Sequence, residues 1–87
     1  MIKKEIKIIN KQGIHARPAG LISRTASQFE SEIKIIKEGY EVNAKSIMGL
    51  LTLAAAYGTS ITVIACGKDE KEAAEALEKI FAAGFDE

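Results

Sequence analysis

An excess of charge of either sign is missing from this chain. Its 12 lysines and arginines balance 12 aspartates and glutamates across 87 residues. The positive surplus that draws proteins onto nucleic acid or an anionic membrane is therefore absent, as are basic stripes interleaved with exposed aromatics. Cysteine is nearly absent too: Cys66 has no second cysteine to pair with, which suits a reducing compartment. One histidine and one cysteine are too few for a metal-ligand set, and no cofactor is expected. No apolar run approaches the roughly 20 residues of a membrane span. The N-terminus alternates lysine with isoleucine instead of forming a signal-peptide core. A soluble, cytoplasmic protein is expected. A chain this short buries only about two-thirds of its unfolded surface, so one domain over residues 1–87 is the working expectation.

What is present is clear local periodicity. Within Ile2-Lys3-Lys4-Glu5-Ile6-Lys7-Ile8-Ile9, apolar and charged side chains alternate from Glu5 to Ile8 before Asn10-Lys11-Gln12-Gly13 interrupts them, the pattern of a half-buried strand. Ala19, Ile22, Ala26 and Phe29 recur at helical spacing and predict a helix over about 16–28. Ile33, Ile35 and Ile36, then Glu38-Gly39, then Tyr40 and Val42 form a hairpin pattern. Ser46 is a good N-cap for a helix over 47–57 that Gly58 ends, with Leu50, Leu53 and Ala54 on its core side. Residues 60–66 read as a strand. Asp69 with Glu72 three residues on resembles a capping box for a last helix with Ala73, Ala76, Leu77, Ile80 and Phe81 inside. This order predicts an α+β fold: a two-layer open-faced β-sandwich in which three helices cover one face of a four-stranded antiparallel sheet.

His15 is the residue with chemistry in reach. Pro18 is tolerated only in the first turn of a helix because it lacks an N–H, so His15 stands at the helix N-terminus. The unpaired N–H groups of Ala16 and Arg17 and the positive end of the helix favour a bound anion there. Arg17 adds a guanidinium suited to phosphate. The same field disfavours imidazolium and favours the neutral, nucleophilic ring that accepting a phosphoryl group requires.

Gly13-Ile14-His15-Ala16-Arg17-Pro18-Ala19 resembles the active-site signature of the HPr family, and Asn43-Ala44-Lys45-Ser46-Ile47-Met48-Gly49-Leu50 resembles its regulatory-serine signature. The likeness covers the whole chain, with both motifs at matching separation. It implies that His15 is phosphorylated on Nδ1 by enzyme I, which takes the group from phosphoenolpyruvate. Phospho-His15 then donates to IIA components of sugar permeases, and Arg17 stabilises the phosphate. It implies that Ser46 is modified by an HPr kinase/phosphorylase, and that the modified protein joins a catabolite-control transcription regulator. On this reading the chain is a monomeric phosphocarrier and not an independent enzyme.

Ile47, Met48 and Leu51 fall opposite the core stripe of their helix, so one apolar face of a short helix is left for partners. Ala16, Gly20 and Arg24 are expected to complete that partner surface. Gly20 is a departure from the family pattern, lowering helix propensity by about 1 kcal/mol relative to Ala. Tyr57, the run Ala54-Ala55-Ala56 and the ending Gly84-Phe85-Asp86-Glu87 differ from sugar-branch members, and the ending resembles the nitrogen-branch paralogue. The setting of Ser46 favours the sugar branch. A non-catalytic module binding a metabolite or RNA is the alternative of another class, since fold alone does not fix function. His15 beside Arg17 argues against it.

Overall fold

The computed structural model describes residues 1–87. Its elements run β1 (Ile2–Lys7), α1 (Ala16–Ala26), β2 (Glu32–Lys37), β3 (Tyr40–Asn43), α2 (Ile47–Leu53), β4 (Ser60–Cys66) and α3 (Glu70–Ala82), followed by a 3-10 turn, Gly84–Asp86. The strands form one antiparallel sheet in the order β1-β4-β2-β3. This is the α+β open-faced sandwich that the pattern predicts.

Alternation along the strands decides which face is covered. Ile61, Val63 and Ala65 of β4, Ile33 and Ile35 of β2 and Val42 of β3 are buried. They meet Ala19, Ile22 and Ala26 of α1, Leu50 and Leu53 of α2, and Ala73, Ala74, Leu77 and Phe81 of α3 in a single core of 20 buried residues. The register puts Lys3, Ile64, Lys34 and Asn43 in one row across the open face, and Glu5, Thr62, Ile36 and Glu41 in the next. Lys34 pairs there with Glu32 at 3.3 Å and with Glu41 at 3.1 Å. No helix is long and apolar enough to cross a membrane.

Several boundaries differ from the sequence pattern. Strand β1 stops at Lys7, although Ile8 is buried and still exchanges backbone bonds with Gly58 and Thr59. Helix α1 stops at Ala26 and leaves Phe29 outside it. The larger difference is in α2, which ends at Leu53 instead of reaching Tyr57 because Ala54 turns left-handed (φ +54°). Ala54 is thereby exposed, not core, and Ala55 takes the buried position. In α3, Ala74 is fully buried, whereas Ala76 and Ile80 are half-buried.

Asp69 also does something other than cap its own helix. It occupies the N-cap position of α3, but its side chain makes no capping bond. Its carboxylate instead accepts from the backbone N–H of Glu30 (3.0 Å), the N–H of Ser31 (2.9 Å) and the Ser31 hydroxyl, tying the start of α3 to the α1–β2 loop. Gly67 makes this close approach feasible. With φ +150°, an added Cβ there would fall 2.8 Å from the Ser31 Cα. The Ser31 hydroxyl, followed by the backbone N–H groups, holds the Asp69 carboxyl below the usual carboxylate range.

The sign of the resulting pH effect follows. A carboxyl whose pKa is depressed by folding stabilises the fold fully above its unfolded value, about 3.9, and loses that contribution as pH falls through the lower folded value. Asp69→Ala should lower the melting temperature at neutral pH, and the gap to wild type should narrow as pH drops below about 4. Thermal melts of both proteins from pH 3 to pH 7 check this; a gap independent of pH would mean that the carboxylate's charge contributes nothing.

Candidate functional site

The loop before α1 is fixed by backbone contact. Ile14 is buried and donates its N–H to the Ala55 carbonyl at 2.9 Å. Gly13, at φ +67°, passes so close that an added Cβ would fall 2.4 Å from the same carbonyl oxygen, a space and a backbone conformation that only glycine fits. Asn10, itself buried, closes the loop by donating from Nδ2 to the Gly13 carbonyl at 2.7 Å.

The chain leaves this loop at His15, the N-cap of α1 with extended backbone (φ −100°, ψ −167°). Its carbonyl accepts the Ala19 N–H at 2.9 Å and so starts the helix. Pro18 sits buried in the first turn, where its missing N–H costs nothing. The N–H groups of Ala16 and Arg17 have no acceptor within the chain, so they remain available to an anion at the positive end of the helix.

The C-terminus completes the site, and no periodicity or motif pointed there. Phe85 is buried edge-on against Phe81, with ring centroids 5.0 Å apart at 68°. Phe85 and Asp86 both take left-handed backbone, with φ +57° and +59°, turning the chain end back over α1. Arg17 Nη1 donates to the Phe85 carbonyl at 2.6 Å and lies 3.6 Å from the Glu87 carboxylate. Glu87 Oε2 lies 2.7 Å from His15 Nε2, and Oε1 accepts from Asn10 Nδ2 at 2.9 Å. Two acceptors on one nitrogen fix the Asn10 amide orientation. The Asn10 N–H, then the hydrogen bond and charge of His15, then the charge of Arg17, hold the Glu87 carboxyl below its ordinary value. The Arg17 side chain is 56% exposed and that of His15 34%, so both remain reachable by a partner.

The structure therefore brings His15, Ala16 and Arg17 together with Asn10, Phe85 and Glu87. Gly20 and Arg24 lie further along α1, with the Arg24 guanidinium 3.7 Å from where a Cβ of residue 20 would be. Ser46 is in a separate place, at the N-terminus of α2. Its Oγ accepts the Gly49 N–H at 3.0 Å, the expected cap. Ile47, Met48 and Leu51 are exposed by 45%, 69% and 36%, while Leu50 and Leu53 are buried, so these five fall on the expected faces and Ala54 does not. Ser23 Oγ donates to the Lys45 carbonyl at 2.8 Å and joins α1 to the start of α2. The Ala55 bond joins the end of α2 to the His15 loop. Both ends of α2 are thus tied to α1 and the loop before it. No three His, Cys, Asp or Glu side chains converge as metal ligands.

An imidazole beside free helical N–H groups and a guanidinium can receive a phosphoryl group from a donor. A family model described as the PTS HPr component phosphorylation site matches residues 2–83. The phosphocarrier protein HPr of Treponema pallidum is 41% identical over 87 residues, spanning 100% of this chain and 99% of that one. The HPr structure from Thermoanaerobacter tengcongensis superposes with a TM-score of 0.97 at 45% identity, covering 100% and 98% of the two chains. The catabolite-repression protein Crh of Bacillus subtilis, solved as a swapped dimer, gives 0.73 at 44% identity, covering 99% and 94%.

The two faces of α2 make a direct check. Met48→Lys and Leu51→Lys, each at an exposed position, should change stability by no more than about 0.5 kcal/mol. Leu50→Ala should cost about 2 to 5 kcal/mol. Chemical denaturation of the three variants measures this; a large loss for either lysine variant would place that side chain in the core.

Proposed function

The chain belongs to the HPr family of phosphocarriers, and on that premise we propose that His15 accepts a phosphoryl group from phosphorylated enzyme I and passes it to IIA components of sugar permeases. The observation that carries this reading is His15 at the N-cap of α1, beside the unbonded N–H groups of Ala16 and Arg17. The incoming phosphoryl oxygens would meet these N–H groups and the positive helix end. Arg17, mostly exposed and held by a single hydrogen bond to the Phe85 carbonyl, can turn its guanidinium to the same oxygens and offset charge in transfer. The protein carries the group and relies on its partners for turnover, so it is a carrier and not an enzyme in its own right.

Docking is assigned to the surface around His15: Ala16, Gly20 and Arg24 on α1, with Ile47, Met48 and Leu51 on α2. A methionine on an adaptable apolar face suits a protein that meets several unrelated surfaces. A monomer is taken as the working unit, although the Crh relative and an HPr of Thermoanaerobacter tengcongensis have each been solved as dimers. This reading places the protein in the cytoplasm.

Ser46 supports a second, regulatory role, with an HPr kinase/phosphorylase as the modifying partner. A phosphate on its Oγ would lie at a helix N-terminus and favour α2 locally. The same dianion, next to Ile47, Met48 and Leu51, would have to be stripped of water by any partner burying that patch without a matching cation. A transcription regulator that supplies an arginine or lysine would instead gain affinity, so the modification chooses between partners.

Three measurements follow. Phosphoenolpyruvate and enzyme I should label wild type with an acid-labile phosphate and leave folded His15→Ala unlabelled; labelling of the variant would overturn the assignment. Arg17→Ala should transfer about ten- to a hundredfold more slowly, the loss of a charged contact of about 1.5 to 3 kcal/mol, at little cost in melting temperature. Ser46→Asp should melt no lower than wild type yet accept phosphoryl groups from enzyme I more slowly; an unchanged rate would leave Ser46 as a helix cap alone.

A further inference from the structure

The Glu87 carboxylate on His15 Nε2 is unused by the transfer step as described above, yet Asn10, Phe85 and Arg17 all bear on its position. Asn10 fixes one carboxylate oxygen and His15 the other. The buried Phe85 ring anchors the segment two residues earlier, and Arg17 holds the Phe85 carbonyl. Glu87 is thus positioned from three sides.

A carboxylate only accepts hydrogen bonds, so the ring nitrogen facing it must carry hydrogen. In a neutral imidazole the other nitrogen then holds the lone pair. His15 Nδ1 makes no hydrogen bond within the chain. We propose that Glu87 is a positioning residue for His15: it selects the Nε2–H tautomer, leaving Nδ1 as the nucleophile, and it pairs with the positive charge the ring gains in transfer. The proposal rests on the phosphocarrier reading of His15.

The step balances as follows. The Nδ1 lone pair forms the bond to phosphorus while the bond from phosphorus to the donor atom breaks, its electron pair leaving with the donor. The ring keeps its Nε2 proton and becomes a phosphorylated imidazolium, whose charge faces the Glu87 carboxylate. Release of that proton to solvent leaves the neutral phosphorylated ring. In donation a proton on Nε2 lets the ring depart as neutral imidazole, so the carboxylate supports both directions. A positioning carboxylate acting on the far nitrogen of a nucleophilic or basic histidine is a general device for orienting the ring and stabilising its cation.

The test uses the full chain with 15N-labelled histidine, at a pH where the ring is neutral. Wild type should show hydrogen on Nε2 alone. Glu87→Ala should show a mixture of tautomers, and Glu87→Gln, left with one acceptor oxygen for both Asn10 and His15, should also lose the pure Nε2–H form. Phosphoryl acceptance from phosphorylated enzyme I should slow on the order of tenfold in Glu87→Ala, with half-saturation unchanged and Glu87→Gln in between, since only the transition state carries the extra charge. A wild-type tautomer in Glu87→Ala overturns the proposal whatever the rates, as does a wild-type rate with a changed tautomer. If wild type itself accepts no phosphoryl group, the phosphocarrier reading fails instead, and the tautomer measurement still decides the role of Glu87 on the ring.

Discussion

His15 stands where it does because the backbone of Gly13 and Ile14 lies against that of Ala55 and Ala56. The approach is close enough that a Cβ on Gly13 would come within 2.4 Å of the Ala55 oxygen and 2.9 Å of the Ala56 Cα. The Ile14 N–H bonds to that same carbonyl. The carbonyl is available only because α2 stops early, with Ala54 in left-handed backbone. An α2 extended to Tyr57 would keep the Ala55 backbone within the helix. The length of α2 and the position of His15 are therefore coupled: the contact that fixes the start of α1 also fixes the end of the helix carrying the exposed apolar face.

Around that fixed point two electrostatic influences act on one ring. The helix terminus and Arg17 are arranged to receive negative charge. The Glu87 carboxylate is arranged to receive a proton-bearing nitrogen. These demands would conflict on a single atom, and the two nitrogens of imidazole separate them. Arg17 touches both sides, through the Phe85 carbonyl at 2.6 Å and the Glu87 carboxylate at 3.6 Å, which couples the chain end to the anion site.

The order of elements along the chain and most of the buried helix positions were legible because burial imposes periodicities of 2 and 3.6 on side chains; the run 60–66 became β4 with no change of boundary. His15 and Arg17 were legible because Pro18 marks a helix start. Asp69 misled because an N-cap position and a capping bond are separate things, and its carboxylate found two N–H groups and a hydroxyl on a loop 38 residues away in sequence. Ala54 misled because left-handed alanine is disfavoured locally and is tolerated here by the closure of the Ala55 contact. Asn10, Phe85 and Glu87 carried no local signal. Their part depends on where the end of α3 delivers the chain, and that is a property of the packed core.

Phosphorus NMR of the protein phosphorylated by enzyme I and phosphoenolpyruvate tests the central claim most directly, because it reports which atom carries the group. The expected result is a single resonance from histidine phosphorylated on Nδ1, the nitrogen that makes no bond to Glu87. A phosphoryl group found on Nε2, or on any residue other than His15, would contradict the account.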